Sequence, residues 1–214
     1  MTQFLDIILH LDQHLLTWMA LFGPWIYVIV FMIIFCETGL VITPFLPGDS
    51  LLFALGALSA IGDGKGLDVW TLLISLTIAG ILGDTCNYHI GKYLGPKVFE
   101  SDSRFFKKKY LDQTKEFYLR WGAFTIVAAR FAPIARTFAP FVAGIGSMNY
   151  KKFISFNVLG AIAWVFTFIL AGYFFGNLPV VKRNFHIVII GVIFVSILPM
   201  LVPWFKSKFG KTPA

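Results

Sequence analysis

Hydrophobic positions run along this chain in long blocks, not in the alternation of a strand or the narrow stripe of a soluble helix. Residues 15–36 carry no charge and match the length of about 20 residues that a spanning helix needs, with a kink expected at Gly23-Pro24. Before them, residues 1–14 place Phe4, Ile7, Ile8 and Leu11 on one side, which predicts a short helix lying in the membrane interface. Residues 37–61 stay apolar but contain Glu37, Pro44, Pro47, Gly48 and Asp49. Two prolines so close break a helix, and irregular backbone is not tolerated against lipid, so the pattern predicts a re-entrant hairpin turning near residues 44–49. Residues 68–91 resume a span, with Asp84 and Asn87 near its end. Residues 122–150 repeat the interrupted pattern through Arg130, Pro133, Arg136, Pro140, Gly144 and Gly146, predicting a second hairpin. Residues 153–178 and 184–205 are plain spans, and residues 206–214 form a tail.

Between the hairpins, residues 92–120 hold Lys92, Lys97, Arg104, Lys107, Lys108, Lys109, Lys115 and Arg120 against Glu100, Asp102, Asp112 and Glu116. Positive-inside usage puts this amphipathic segment in the cytoplasm. Counting outward from it, both termini are cytoplasmic and the two hairpins enter from opposite faces. Pro44-Phe45-Leu46-Pro47-Gly48 and Pro140-Phe141-Val142-Ala143-Gly144 share a Pro-Phe-x-x-Gly pattern. With that topology it suggests an inverted repeat of the kind that builds secondary transporters. The expected fold is a single all-α polytopic membrane domain over residues 1–214. It has two oppositely oriented re-entrant hairpins in an inverted repeat, about four spanning helices and interfacial helices.

Composition agrees. Of 214 residues 57% are hydrophobic and 14% charged, where soluble domains carry about 25% charged. The net charge of +7 falls between and after apolar blocks, so it orients a membrane protein and does not point to nucleic acid. The N-terminus, Met1-Thr2-Gln3-Phe4-Leu5-Asp6, has no basic n-region and does not read as a cleaved signal. Cys36 and Cys86 lie in apolar segments and give no disulfide framework.

The chemistry lies in the broken segments. An arginine in hydrocarbon costs about 2.5 kcal/mol or more, so Arg130 and Arg136 need compensating partners. One reading is a clamp on a lipid phosphate, because guanidinium binds phosphate bidentately. The other is a pair of internal salt bridges to Glu37 and Asp49. For Glu37 and Asp49 the functional reading is proton coupling, since burial and a nearby arginine shift a carboxyl in opposite directions. For Asp49 a turn or helix cap after Pro47-Gly48 fits as well. Pro44, Pro47, Gly48, Pro140 and Gly144 break helices, and the broken ends can point backbone N–H groups at an anion. Asp6, His10 and His14 share a helix face but are too few for a metal site, so no metal and no cofactor is expected. Neither a Ser-His-Asp arrangement, a Gly-rich nucleotide loop nor HExxH occurs, so a transporter is expected and not an enzyme.

These residues resemble the DedA family of bacterial membrane proteins. The resemblance rests on Phe35-Cys36-Glu37-Thr38-Gly39-Leu40, Phe45-Leu46-Pro47-Gly48-Asp49-Ser50-Leu51-Leu52, Gly83-Asp84, Arg130-Phe131-Ala132-Pro133-Ile134-Ala135-Arg136-Thr137 and Ala143-Gly144. That family is in turn similar to eukaryotic VTT-domain, or SNARE-associated Golgi, proteins linked to lipid scrambling. The resemblance implies an inner-membrane flippase for undecaprenyl phosphate or a related phosphate-bearing lipid, driven by the proton motive force. It implies that Glu37, Asp49, Arg130 and Arg136 are needed, with Asp84 a secondary candidate. Its partners would be that lipid and protons, and homo-oligomerisation stays open. The alternatives are a phosphatidylethanolamine flippase or scramblase, a proton-coupled small-cation transporter, and an assembly factor for other membrane proteins.

Overall fold

The structure, a computed structural model, describes residues 23–40, 48–61, 67–94, 118, 121–146, 148–179 and 181. The regular elements among them are all helical: α1 (Trp25–Gly39), α2 (Gly48–Ile61), α3 (Val69–Leu94), a 3-10 turn (Gly122–Phe124), α4 (Thr125–Ala129), α5 (Pro133–Ile145) and α6 (Tyr150–Gly176). Outside the described residues lie the expected interfacial helix with Asp6, His10 and His14, Pro44 and Pro47 of the first turn, most of the basic segment, the span 184–205 and the tail.

Two helices, α3 with 26 residues and α6 with 27, are long and apolar enough to cross a membrane. The distribution of residues on α3 says what surrounds it. Gly80, Gly83, Asp84 and Asn87 are buried, whereas Trp70, Ile74, Ile78 and Leu82 are exposed at every fourth position. A soluble helix turns its apolar stripe inward; here the polar residues face protein and the apolar stripe faces out, as lipid requires.

The chain divides into two compact units. One joins α2 to the end of α6 from Phe168, and the other joins α1, α3 from Trp70, α4, α5 and α6 up to Thr167. Each contains the same interlock. In the first, a Cβ on Gly56 would overlap the Ile169 carbonyl, and one on Gly172 would overlap that of Phe53. In the second, a Cβ on Gly144 would overlap the Tyr88 carbonyl, and one on Gly91 that of Phe141. The recurring step is therefore aromatic-x-x-glycine on the short helix, Phe53-Ala54-Leu55-Gly56 and Phe141-Val142-Ala143-Gly144. Packing thus matches Phe141 and Gly144 with Phe53 and Gly56; Phe45 of the Pro-Phe-x-x-Gly pattern lies outside the described residues. Small residues let helix backbones approach where lipid supplies no hydrophobic drive between helices.

Helix boundaries also differ from expectation. α1 begins after Gly23 (φ 48) and Pro24, which mark its start, and it runs on through Glu37 to Gly39. The break expected at Pro140 to Gly144 falls instead at Arg130 to Pro133. There, i→i−3 bonds tighten the end of α4 (Arg130 to Val127, 3.3 Å; Phe131 to Ala128, 3.2 Å; Ala132 to Ala129, 2.9 Å). Ala132 is extended (φ −117, ψ 115), as a residue before proline prefers, and Pro133 opens α5. Pro140 lies inside α5 and removes only the helical hydrogen bond to the Arg136 carbonyl. Gly144 is a packing glycine, so Pro140 and Gly144 offer no helix N-terminus to an anion.

Gly91→Ala and Gly144→Ala are each expected to lower stability by about 1–3 kcal/mol, because a backbone carbonyl cannot give way as a side chain can. Gly146→Ala, whose Cβ would lie 3.3 Å from the Val142 carbonyl, should cost less. Melting temperatures of the purified variants in detergent check this.

Candidate functional site: two buried ion pairs around Trp164

Four helices and one helix break of the second unit converge on a cluster of charges. α1 supplies Glu37 from its last turn, α3 supplies Asp84, the turn after α4 supplies Arg130, α5 supplies Arg136, and α6 supplies Asn157 and Trp164. Glu37, Asp84, Arg130 and Arg136 are all at most 5% exposed. Glycines make room for them. Gly39 of α1 meets Gly83 of α3 so closely that a Cβ would lie 3.3 Å from the Gly83 Cα. Arg130 runs between Gly80 and Gly160, where added Cβ atoms would lie 3.2 Å from Nη1 and 3.1 Å from Cδ.

The charges pair off. Arg136 Nη2 donates to Glu37 Oε1. Arg130 Nη2 donates to Asp84 Oδ2 at 2.5 Å, to Asn157 Oδ1 at 2.6 Å and to the Gly80 carbonyl at 3.3 Å. Trp164, fully buried, lies against both cations, its ring centre 5.8 Å from the Arg130 Cζ and 5.3 Å from that of Arg136. Its π face attracts each guanidinium at that range and so offsets part of the repulsion between them. Two carboxylates and two guanidiniums cancel, which is what makes the burial tolerable. Arg130 keeps donors in reserve: Nε and Nη1 are buried and have no hydrogen-bond partner among the described residues.

Secondary structure does not explain the placement of Glu37 and Arg136. A carboxylate in the last turn of a helix and a cation in the first each oppose the helix dipole by roughly 0.3–1 kcal/mol. Each is set against its own helix and is compensated by the other. Asp49 is the opposite case. It sits half-buried in the first turn of α2, where the dipole favours an acid, and it belongs to the other unit. Gly48 opens that helix.

Asn87 and Tyr118 brace the cluster. Asn87 Nδ2 donates to the Thr38 carbonyl at 3.2 Å and to the Thr137 carbonyl at 2.7 Å. Tyr118 Oη donates to the Ala139 carbonyl at 2.9 Å. Burial first, and the Asp84 charge second, push that phenol above its ordinary range, so it stays a protonated donor.

Of the residues expected at a site, the structure brings Glu37 to Arg136 and gives Arg130 the carboxylate of Asp84. Asn157 and Trp164 escaped the sequence reading. An asparagine inside an apolar span was the available signal for the first; nothing separates Trp164 from the chain's other aromatics.

Among the described residues, buried polar groups, an apolar stripe facing outward and two helices of spanning length define a helical membrane protein. The chain belongs to the DedA family: the VTT domain matches residues 46–174, and the Protein DedA of Escherichia coli is 50% identical over 205 residues, covering 95% of this chain and 93% of its own. An uncharacterized membrane protein of Mycobacterium tuberculosis is 43% identical over 184 residues (86% of this chain, 80% of its own). The inner membrane protein YghB of Escherichia coli is 35% identical over 184 residues (84% and 82%). No solved structure matches the chain.

Glu37→Gln leaves the Arg136 charge buried without its carboxylate and should destabilise by about 3–5 kcal/mol. Arg136→Gln should do likewise, and the double variant should lose less than the two single losses together. A double-mutant cycle on melting temperature measures this coupling, and additive losses would mean that the pair does not interact.

Proposed function

We propose that this protein carries a phosphate-bearing lipid across the bacterial inner membrane, with undecaprenyl phosphate as the cargo the family resemblance points to. The observation that supports it most is the buried guanidinium of Arg130, whose Nε and Nη1 have no acceptor among the described residues and so keep donors in reserve for phosphate oxygens. Arg136 adds a second guanidinium against the same indole. The reading is of a carrier and not an enzyme: no bond of the cargo is broken and no cofactor is needed.

Charge balance supplies the link to protons. The cluster sums to zero, so an arriving anion leaves a net negative charge in low dielectric unless a proton comes with it. A proton on Glu37 neutralises that carboxylate and frees Arg136 for the phosphate, so anion and proton move together. Asp49, at the start of α2, is the second proton carrier in this scheme. In this reading the broken segment from α4 to α5 is a re-entrant hairpin of the kind secondary transporters use.

Arg130→Lys and Arg136→Lys keep the charge but lose the fork. They should reduce translocation of a labelled polyprenyl phosphate in proteoliposomes by about tenfold or more, with protein abundance near normal. Lysine variants that transport as well as the original would make the arginines structural counter-ions. Glu37→Gln cannot titrate, so its transport should lose its response to an imposed pH difference. An original protein that moves lipid equally fast without the gradient would be a passive scramblase.

A further inference from the structure

Arg130 is held by one nitrogen. Asp84 of α3, Asn157 of α6 and the Gly80 carbonyl all accept from Nη2, which has two protons to give. Nε and Nη1 meanwhile are buried with no acceptor among the described residues. An ion pair that only stabilises commonly uses the fork, two parallel bonds from one guanidinium to one carboxylate. Here the carboxylate takes only Nη2, the nitrogen shared by both forks of the guanidinium, Nε with Nη2 and Nη1 with Nη2, so a phosphate that binds by either fork meets Asp84 there.

From this geometry we infer that Asp84 is an internal competitor for Arg130, a tethered carboxylate that holds the guanidinium in the empty site and weakens its grip on a bound phosphate ester. Asn157 accepts from the same nitrogen without a charge of its own. Its amide is fixed by donation to the Ile81 carbonyl at 3.1 Å, so it keeps the guanidinium oriented in both states. A phosphate and Asp84 draw on one positive charge, so affinity and release are set by the same residue. The inference rests on the phosphate reading of Arg130 and adds to it how the cargo leaves.

The full chain in detergent is titrated with farnesyl phosphate and, separately, with inorganic phosphate. Asp84→Asn removes the competitor, so farnesyl phosphate should bind about tenfold tighter while its translocation in proteoliposomes slows. The melting temperature of this variant, low without ligand, should also rise further on ligand addition than that of the original. Asn157→Asp sets a second carboxylate on the same nitrogen and should weaken binding by about tenfold. A merely structural role would weaken binding in both variants. Equal or weaker binding by folded Asp84→Asn overturns the inference, as does unchanged or tighter binding by Asn157→Asp. Should Asp84→Asn fail to fold, the exchanged variant Asp84→Asn with Asn157→Asp, which keeps one carboxylate on that nitrogen, takes its place: binding near that of the original supports the inference and weaker binding overturns it. The same pair of shifts with inorganic phosphate only would keep the role of Asp84 and make the free ion the ligand. An original chain that binds neither probe brings down the phosphate reading itself, and the inference with it.

Discussion

A guanidinium taken out of water must be given another charge, and that requirement organises the second unit. Two arginines lie in a membrane protein at positions almost closed to solvent. Each has drawn a carboxylate from a different helix, Glu37 from α1 and Asp84 from α3. Five separate segments are thereby committed to one point, and the spaces between them are made by glycines. Without close approach at Gly39, Gly80, Gly83 and Gly160 the ions could not reach one another, and without the ions there is little reason for an apolar chain to hold polar groups in its interior.

The two units express one packing idea with different chemistry. Phe53-x-x-Gly56 and Phe141-x-x-Gly144 clasp equivalent steps on longer helices. The short helix of one unit carries Arg136; that of the other carries Asp49 in its first turn.

Much of this was legible in the sequence, for identifiable reasons. Long uncharged blocks have one physical explanation, so the helical membrane class and the two long helices α3 and α6 followed from hydropathy. Glu37, Asp49, Arg130 and Arg136 stood out because charge is costly in apolar surroundings, whereas Asp84 entered only as a secondary candidate. Which acid meets which arginine was not legible. Spacing along a chain cannot choose between Asp49 and Asp84 as the partner of Arg130, since both are acids in apolar segments and the choice is made by tertiary packing. Pro140 misled for a related reason. A proline in a helix costs one hydrogen bond, and α5 tolerates that loss because the chain has already turned at Ala132-Pro133. Asn157 was overlooked because an amide carries no charge to attract notice, although it holds Arg130 at 2.6 Å.

Asn87 reaches two carbonyls, those of Thr38 and Thr137, and each is the immediate neighbour of a member of one ion pair. Glu37 and Arg136 are thus stitched together through the backbone as well as through their side chains. While that amide stays in place it holds their helices together, so only rotation of the side chains can part the pair. Arg130 has no such stitch: it stands at a break where the chain is held by i→i−3 bonds. The backbone thus reinforces one ion pair, whereas Arg130 depends on the side chains and the carbonyl that meet its Nη2.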